Sequence, residues 1–187
     1  FNDDSVLGIV SDVSKMEDEK KAIAKILDKW GQLDVVLANA GVGHFAAIDE
    51  MTDSEWHHMI NTNLNGVFHT LKASVETLKK SKGYYITLAS LAGTNFFATG
   101  AGYNASKFGV VGFTQAAMLD LRKYDIKVST IMPGSVATHF NNNEPDDSDA
   151  WKIQPEDIGE LVLDLLKMNP RTLPSKIEVR PSRPDKK

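Results

Sequence analysis

Apolar positions in this chain follow two rhythms: short solid runs, and longer stretches in which they recur every three or four residues. The first run, Val6-Leu7-Gly8-Ile9-Val10, has strand length. Ser14 with Glu17 three residues on reads as a capping box. Ile23, Ile26, Leu27 and Trp30 then follow at helical spacing up to Gly31, which stands where a helix stops. Residues 33–38 form a second buried-strand run, ended by Asn39-Ala40-Gly41. Thr52 and Glu55 make a second capping box ahead of one continuous apolar stripe running from Trp56 through Met59, Leu64 and Val67 to Leu78. Residues 84–88 predict a third strand, residues 103–124 a helix, and residues 127–132 a fourth strand closed by Pro133-Gly134. A polar, loop-like segment covers 141–149. Pro155 begins another helix, with Glu156 and Asp157 favourably placed in its first turn. Residues 176–180 read as a last short strand, and the basic residues Lys176, Arg180, Arg183, Lys186 and Lys187 as a solvated terminus.

Apolar strand runs alternating with helices imply an α/β fold, a doubly wound parallel sheet covered on both faces. No internal repeat or linker divides the chain, so residues 1–187 are expected to form one domain. In such sheets ligands bind outside the carboxyl ends of the strands. Asp12, Asn39-Ala40-Gly41, Ser90 and Pro133-Gly134 each follow a strand run, which marks one sheet edge as the place for a site.

Composition narrows the chemistry. The 187 residues are 42% hydrophobic and 25% charged, an ordinary globular balance that argues against a disordered chain. Cysteine is absent, which removes disulfides, thiolate metal sites and cysteine nucleophiles. The net charge of −4 has both signs interspersed and gives no basic face for nucleic acid. No apolar run approaches the roughly 20 residues of a membrane span, so a cytoplasmic protein without a membrane partner is expected. His57, His58 and His69 lack the spacing of a helical zinc pair, and no metal is expected.

Tyr103 and Lys107 stand four apart at the start of a predicted helix and so share one face. A phenol is a poor acid or base at neutral pH, and an adjacent ammonium lowers its pKa in the useful direction. Ser90, at a neighbouring strand exit, can hydrogen-bond the same substrate oxygen. Packing accounts equally well for an isolated Tyr-x-x-x-Lys; the serine and the flanking strand-exit motifs are what raise it above chance.

Six stretches carry a resemblance to the short-chain dehydrogenase/reductases, in their compact single-domain branch. These are Asp12-Val13, Asn39-Ala40-Gly41, Asn63-Leu64-Asn65-Gly66, Ser90, Tyr103-Asn104-Ala105-Ser106-Lys107, and Pro133-Gly134-Ser135-Val136-Ala137-Thr138. The resemblance implies Tyr103 as general acid/base, Ser90 as the donor that polarises the carbonyl, and Lys107 as the group that tunes Tyr103 and binds the nicotinamide ribose. Asn63 would hold a relay water. For the cofactor, Asp12 and Val13 would meet the adenine, Asn39, Ala40 and Gly41 would let the backbone approach, and Pro133, Gly134, Val136 and Thr138 would hold the carboxamide side. NADP is the implied cofactor, with NAD the alternative, and a homodimer or homotetramer is implied in the same way.

Two departures stand out. Ala38 replaces a second asparagine of the family. The glycine-rich turn that cradles the pyrophosphate has no counterpart, and Gly41-Val42-Gly43 is too short and follows the wrong strand to replace it. The resemblance therefore implies a sheet lacking its first two strands and their helices, with about 40–60 residues ahead of Phe1. In that order Val6–Val10 would be the third strand.

The substrate side should be built by residues that follow these motifs: His44 and Phe45, Phe96 and Phe97, then His139, Phe140 and Trp151. Several aromatics near one tyrosine suggest an apolar or ring-bearing carbonyl substrate, although packing explains Phe96, Phe97 and Trp151 as readily. The expected activity is hydride transfer between NAD(P) and an alcohol or carbonyl, as in a carbonyl or ketone reductase. Pterins, small ketones, sugars and 3-oxoacyl groups remain open as substrates. The alternative from another class is a non-catalytic binding or regulatory protein that keeps the fold. A sugar-nucleotide epimerase is disfavoured because too few residues follow Pro133 for an added substrate domain.

Overall fold

The computed structural model describes residues 4–183; Phe1, Lys186 and Lys187 lie outside that range. In chain order the elements are Met16–Trp30 (α1), Val35–Ala38 (β1), Asp53–Met59 (α2), Gly66–Ser81 (α3), Tyr84–Leu88 (β2), Ala101–Leu121 (α4), Lys127–Pro133 (β3), Pro155–Lys167 (α5) and Lys176–Val179 (β4). The four strands form one parallel sheet in the order β1-β2-β3-β4. Tyr85 lies opposite Val36 on one side and Val128 on the other. Parallel neighbours cannot be joined by hairpins, so helices make every crossover.

Side chains alternate across a strand, and both faces of this sheet are covered. Tyr85 joins Val67, Leu71, Val110 and Val128 in a core beneath α3 and α4. Its neighbours Tyr84 and Ile86 point the other way, into a smaller core with Ile131 and Leu165 of α5. Among the described residues, buried hydroxyls in these layers find partners except that of Thr130 on β3. Tyr85 donates to the Val67 carbonyl at 2.7 Å, and the Thr87 and Thr114 hydroxyls meet at 3.0 Å. α1 packs on α3 and ends at Gly31, whose φ of 71° only glycine adopts cheaply. The Thr52–Glu55 box forms as expected: the Glu55 N–H donates to the Thr52 hydroxyl and the Thr52 N–H to the Glu55 carboxylate.

Two expectations need correction. Residues 6–10 are not a strand: they pair with no strand among the described residues, Val10 is fully exposed, and a Cβ on Gly8 would meet nothing within 4 Å. A strand is made by a hydrogen-bonded neighbour, not by apolar composition. This segment is tied instead to the end of α1, where Lys29 Nζ reaches the Val6 carbonyl at 3.0 Å. Ser14 does not cap α1 either. Its hydroxyl and N–H both donate to the Asp12 carboxylate, at 2.7 and 3.0 Å, and Lys15 occupies the cap position. The helical stretch after Thr52 runs unbroken to Ser81, as the stripe predicts, but it is not uniformly α. A π-helical turn, Ile60–Asn65, separates α2 from α3, a widened turn of the kind often found beside functional sites.

Candidate functional site

The carboxyl ends of β1, β2 and β3 open on one cleft of about 1430 Å³. That exceeds the roughly 300–1,000 Å³ of a single-ligand pocket, which leaves room for two molecules side by side. Its walls include Asn39, Ala40 and Gly41 after β1, Ser90 after β2, and Pro133, Gly134, Val136 and Thr138 after β3. Tyr103 and Lys107 enter from α4.

Helical spacing places Lys107 one turn beyond Tyr103, with its Nζ 5.7 Å from the centre of the phenol ring. The ammonium donates to the Leu88 carbonyl at the end of β2, at 3.0 Å. It is buried, and desolvation lowers its pKa from 10.5 to about 8. Burial also acts on Tyr103 and pushes the phenol above its ordinary value, with the Ser90 hydroxyl working the other way. The sequence predicts a phenol lowered by the lysine; in the fold, desolvation raises it and the Ser90 hydroxyl opposes that rise. Ser90 caps the 3₁₀ turn Leu91–Gly93, and its Oγ accepts the Ala92 N–H at 3.1 Å. That bond fixes the hydroxyl at the strand exit.

Asn63 lies in the π turn, buried, with every polar group of its side chain engaged. Its Nδ2 donates to the Val42 carbonyl at 2.8 Å and to Ser106 Oγ at 3.0 Å, while its Oδ1 accepts the Val42 N–H at 2.7 Å. The amide thus clamps the loop after β1 to α4, where Ser106 in turn donates to the Tyr103 carbonyl at 2.8 Å. A Cβ on Gly41 would sit 3.4 Å from Asn63 Oδ1 and 3.5 Å from Lys107 Nζ, so the loop passes close to both.

Asn104 is a residue that sequence reasoning missed. Its Nδ2 donates to the carbonyls of Ala92 and Asn95, both at 2.7 Å, and ties the segment after Ser90 to the first turn of α4. Its place between Tyr103 and Lys107 was the available signal, but backbone partners leave no mark in a sequence. Lys152 also reaches the cleft wall, paired with Asp149 at 2.6 Å.

The aromatic candidates divide. Phe45 meets the Tyr103 ring edge-on at 5.5 Å, Phe97 lies 5.6 Å from Phe45, and Phe140 lies 5.7 Å from Tyr103. All three line the cleft; Phe96 lines it too but stacks on Phe108 at 5.8 Å. His44, His139 and Trp151 are not among the lining residues. His44 Nε2 faces His58 Nδ1 at 3.3 Å, His139 pairs with Glu144 at 3.3 Å, and the Lys152 ammonium lies 5.9 Å from the Trp151 ring centre. Asp12 is exposed and bonded to Ser14, which holds its carboxyl below the usual range. Val13 lines a separate pocket of about 180 Å³ that shares Asn39 and Ala40 with the cleft.

Comparison with known proteins bears on the family and the fold. The family model for short chain dehydrogenases matches residues 2–149. A sepiapterin reductase from Chlorobaculum tepidum is 30% identical over 178 residues, which cover 95% of this chain and 73% of that protein. An uncharacterized oxidoreductase of Staphylococcus aureus is 34% identical over 179 residues, 95% of this chain and 77% of that protein. Among solved structures, an alcohol dehydrogenase from Thermococcus sibiricus complexed with 5-hydroxy-NADP superposes with a TM-score of 0.87 at 31% identity. The match covers 94% of this chain and 75% of that one. The chain belongs to the short-chain dehydrogenase/reductase family. Its parallel sheet with helices on both faces is the Rossmann-like fold of those neighbours.

Proposed function

We propose that the protein reduces a ketone or aldehyde with NADPH, with Tyr103 as the proton donor. The observation that carries this is the convergence of Ser90, Tyr103 and Lys107 from two elements on one cleft. Reduction of a carbonyl builds negative charge on its oxygen, and two hydroxyl donors at that point stabilise it. Tyr103 gives its proton to the oxygen and Ser90 remains as a hydrogen-bond donor.

The nicotinamide–ribose end of the cofactor fits the residues present, while the glycine-rich turn that would cradle its pyrophosphate has no counterpart among them. Among the described residues the ammonium of Lys107 makes one hydrogen bond, to Leu88, which leaves N–H protons for a ribose hydroxyl. Gly41 brings bare backbone close to that ammonium. Asn39, Ala40 and Gly41 would flank the cofactor on one side, and Pro133, Gly134, Val136 and Thr138 on the other. When bound, the nicotinamide supplies the hydride. NADP is favoured by the Thermococcus sibiricus alcohol dehydrogenase, which is complexed with 5-hydroxy-NADP. Asn63 acts here by holding Val42 and Ser106, since its side-chain groups are already engaged.

The test is NADPH consumption with a panel of ketones and aldehydes, wild type against Tyr103→Phe. Turnover that depends on Tyr103 supports the assignment. Tyr103→Phe turning over like wild type overturns it. Tight NADPH binding with no turnover of any carbonyl would favour a binding protein on the same fold.

A further inference from the structure

We infer that Gly43 sets the size of carbonyl the site accepts, because it fixes how far Phe140 projects beside Tyr103. This rests on the reductase reading above and adds a specificity-determining position to it.

Gly43 is buried, and a Cβ built on it would stand 2.5 Å from Phe140 Cζ, 2.9 Å from its Cε1 and 3.3 Å from Phe45 Cζ. The Phe140 ring therefore occupies the space that any side chain at position 43 would need. Gly43 itself is not among the lining residues of the cleft, whereas Phe140 is.

A methyl at position 43 must displace either the backbone or the ring. The backbone is held on both sides. Val42 is clamped through its N–H and its carbonyl by Asn63, at 2.7 and 2.8 Å, and the His44 N–H reaches the sulfur of fully buried Met59 at 3.4 Å. Phe140 is held less firmly. It is 37% exposed and opens the short 3₁₀ turn Phe140–Asn142, within which Asn141 and Asn142 adopt positive φ. The ring is the part that yields. Pushed away from Gly43, it moves into the cleft beside the phenol it already touches at 5.7 Å. Bulk next to the reacting carbonyl is lost.

The experiment compares benzophenone with cyclohexanone, both in turnover and in binding followed by ligand-observed NMR titration. Gly43→Ala should lower the benzophenone-to-cyclohexanone ratio roughly tenfold, the scale of a small steric change in an apolar pocket. Phe140→Ala should raise it. On the Phe140→Ala background, Gly43→Ala should change the ratio less than about twofold, because the ring it displaces is gone. An unchanged ratio in Gly43→Ala, or a loss that persists on the Phe140→Ala background, overturns the inference. Should Gly43→Ala fail to fold, rescue by Phe140→Ala supports the contact and lack of rescue overturns it. The binding ratio reads the contact without turnover. A wild type that binds both ketones and reduces neither removes the reductase reading alone; one that binds neither removes the inference as well.

Discussion

Lys107 and Tyr103 share one face of α4, with the ammonium 5.7 Å from the phenol ring, and burial acts on them in opposite senses. It lowers the lysine to about 8 and raises the tyrosine. The charged form is penalised in each case. Proton affinities that start close in free amino acids cross over, so the lysine becomes the first of the pair to lose its proton as pH rises. Burial thus favours the protonated phenol, the form that the proposed role of proton donor requires.

Tyr103→Phe should keep the ring's contacts with Phe45 and Phe140 and remove only the hydroxyl. Turnover should fall by about 10² or more, the scale for loss of a general acid, with the fold intact by circular dichroism. Near-normal ketone turnover in that variant would remove Tyr103 from its role.

Lys107→Met tests the buried charge through stability. Below pH 8 the lysine is charged in the folded and unfolded chain alike, and burying that charge costs stability. Between about pH 8 and 10.5 the folded chain has released the proton and the unfolded chain still holds it, so stability rises with pH. Over that window wild type should gain roughly 3 kcal/mol relative to Lys107→Met, the shift converted at about 1.4 kcal/mol per pH unit. Urea melts of both proteins at pH 7.0 and pH 10.5 give the difference, and the tyrosines, present in both, cancel. A flat difference would mean that Lys107 is not desolvated.

Sequence patterns revealed those parts of this structure that depend on near neighbours. Gly31 and the Thr52–Glu55 box are local chemistry, and both hold. The Ser14–Glu17 pair has the same spacing and fails, because Asp12 offers the Ser14 hydroxyl a nearer acceptor. The run at residues 6–10 was apolar enough for a strand, but pairing is a long-range event that composition does not encode. The π turn hid in a continuous apolar stripe, with Asn63 as its one visible irregularity. In the site, Tyr103 and Lys107 were legible as a helical pair and Ser90 and the other strand exits as the ends of apolar runs, while the roles expected of them came from the family resemblance. The clamps were not: Asn63 and Asn104 act on the backbone of Val42, Ala92 and Asn95, and a carbonyl looks the same in every residue.

Asn104→Ala should loosen the segment after Ser90 without touching the cleft's reacting groups. Two carbonyls lose a donor at 2.7 Å, which should cost about 2 kcal/mol of stability. The Ser90 hydroxyl would then sample positions away from Tyr103, so kcat should fall roughly tenfold with a smaller change in KM, the pattern of an interaction used chiefly in the transition state. Steady-state kinetics beside urea melts separate the two effects. A loss of stability with kcat unchanged would confine Asn104 to the fold.

Phe97 and Trp151 are both aromatic and both follow the catalytic motifs in sequence, yet the fold separates them. Phe97 lines the cleft and packs 5.6 Å from Phe45, the ring that meets Tyr103 edge-on. Trp151 lies outside the cleft wall, with the Lys152 ammonium 5.9 Å from its ring centre. Phe97→Ala should therefore alter the kcat/KM ratio between a bulky aryl ketone and a small aliphatic one by about tenfold, the scale of a pocket-volume change, with cofactor affinity little affected. Trp151→Ala should leave that ratio unaltered and act, if at all, on stability. Measuring both ketones with both variants decides the matter. A ratio that moves with Trp151 and not with Phe97 would place the substrate on the far side of the segment after β3, away from the Phe45 and Phe97 rings.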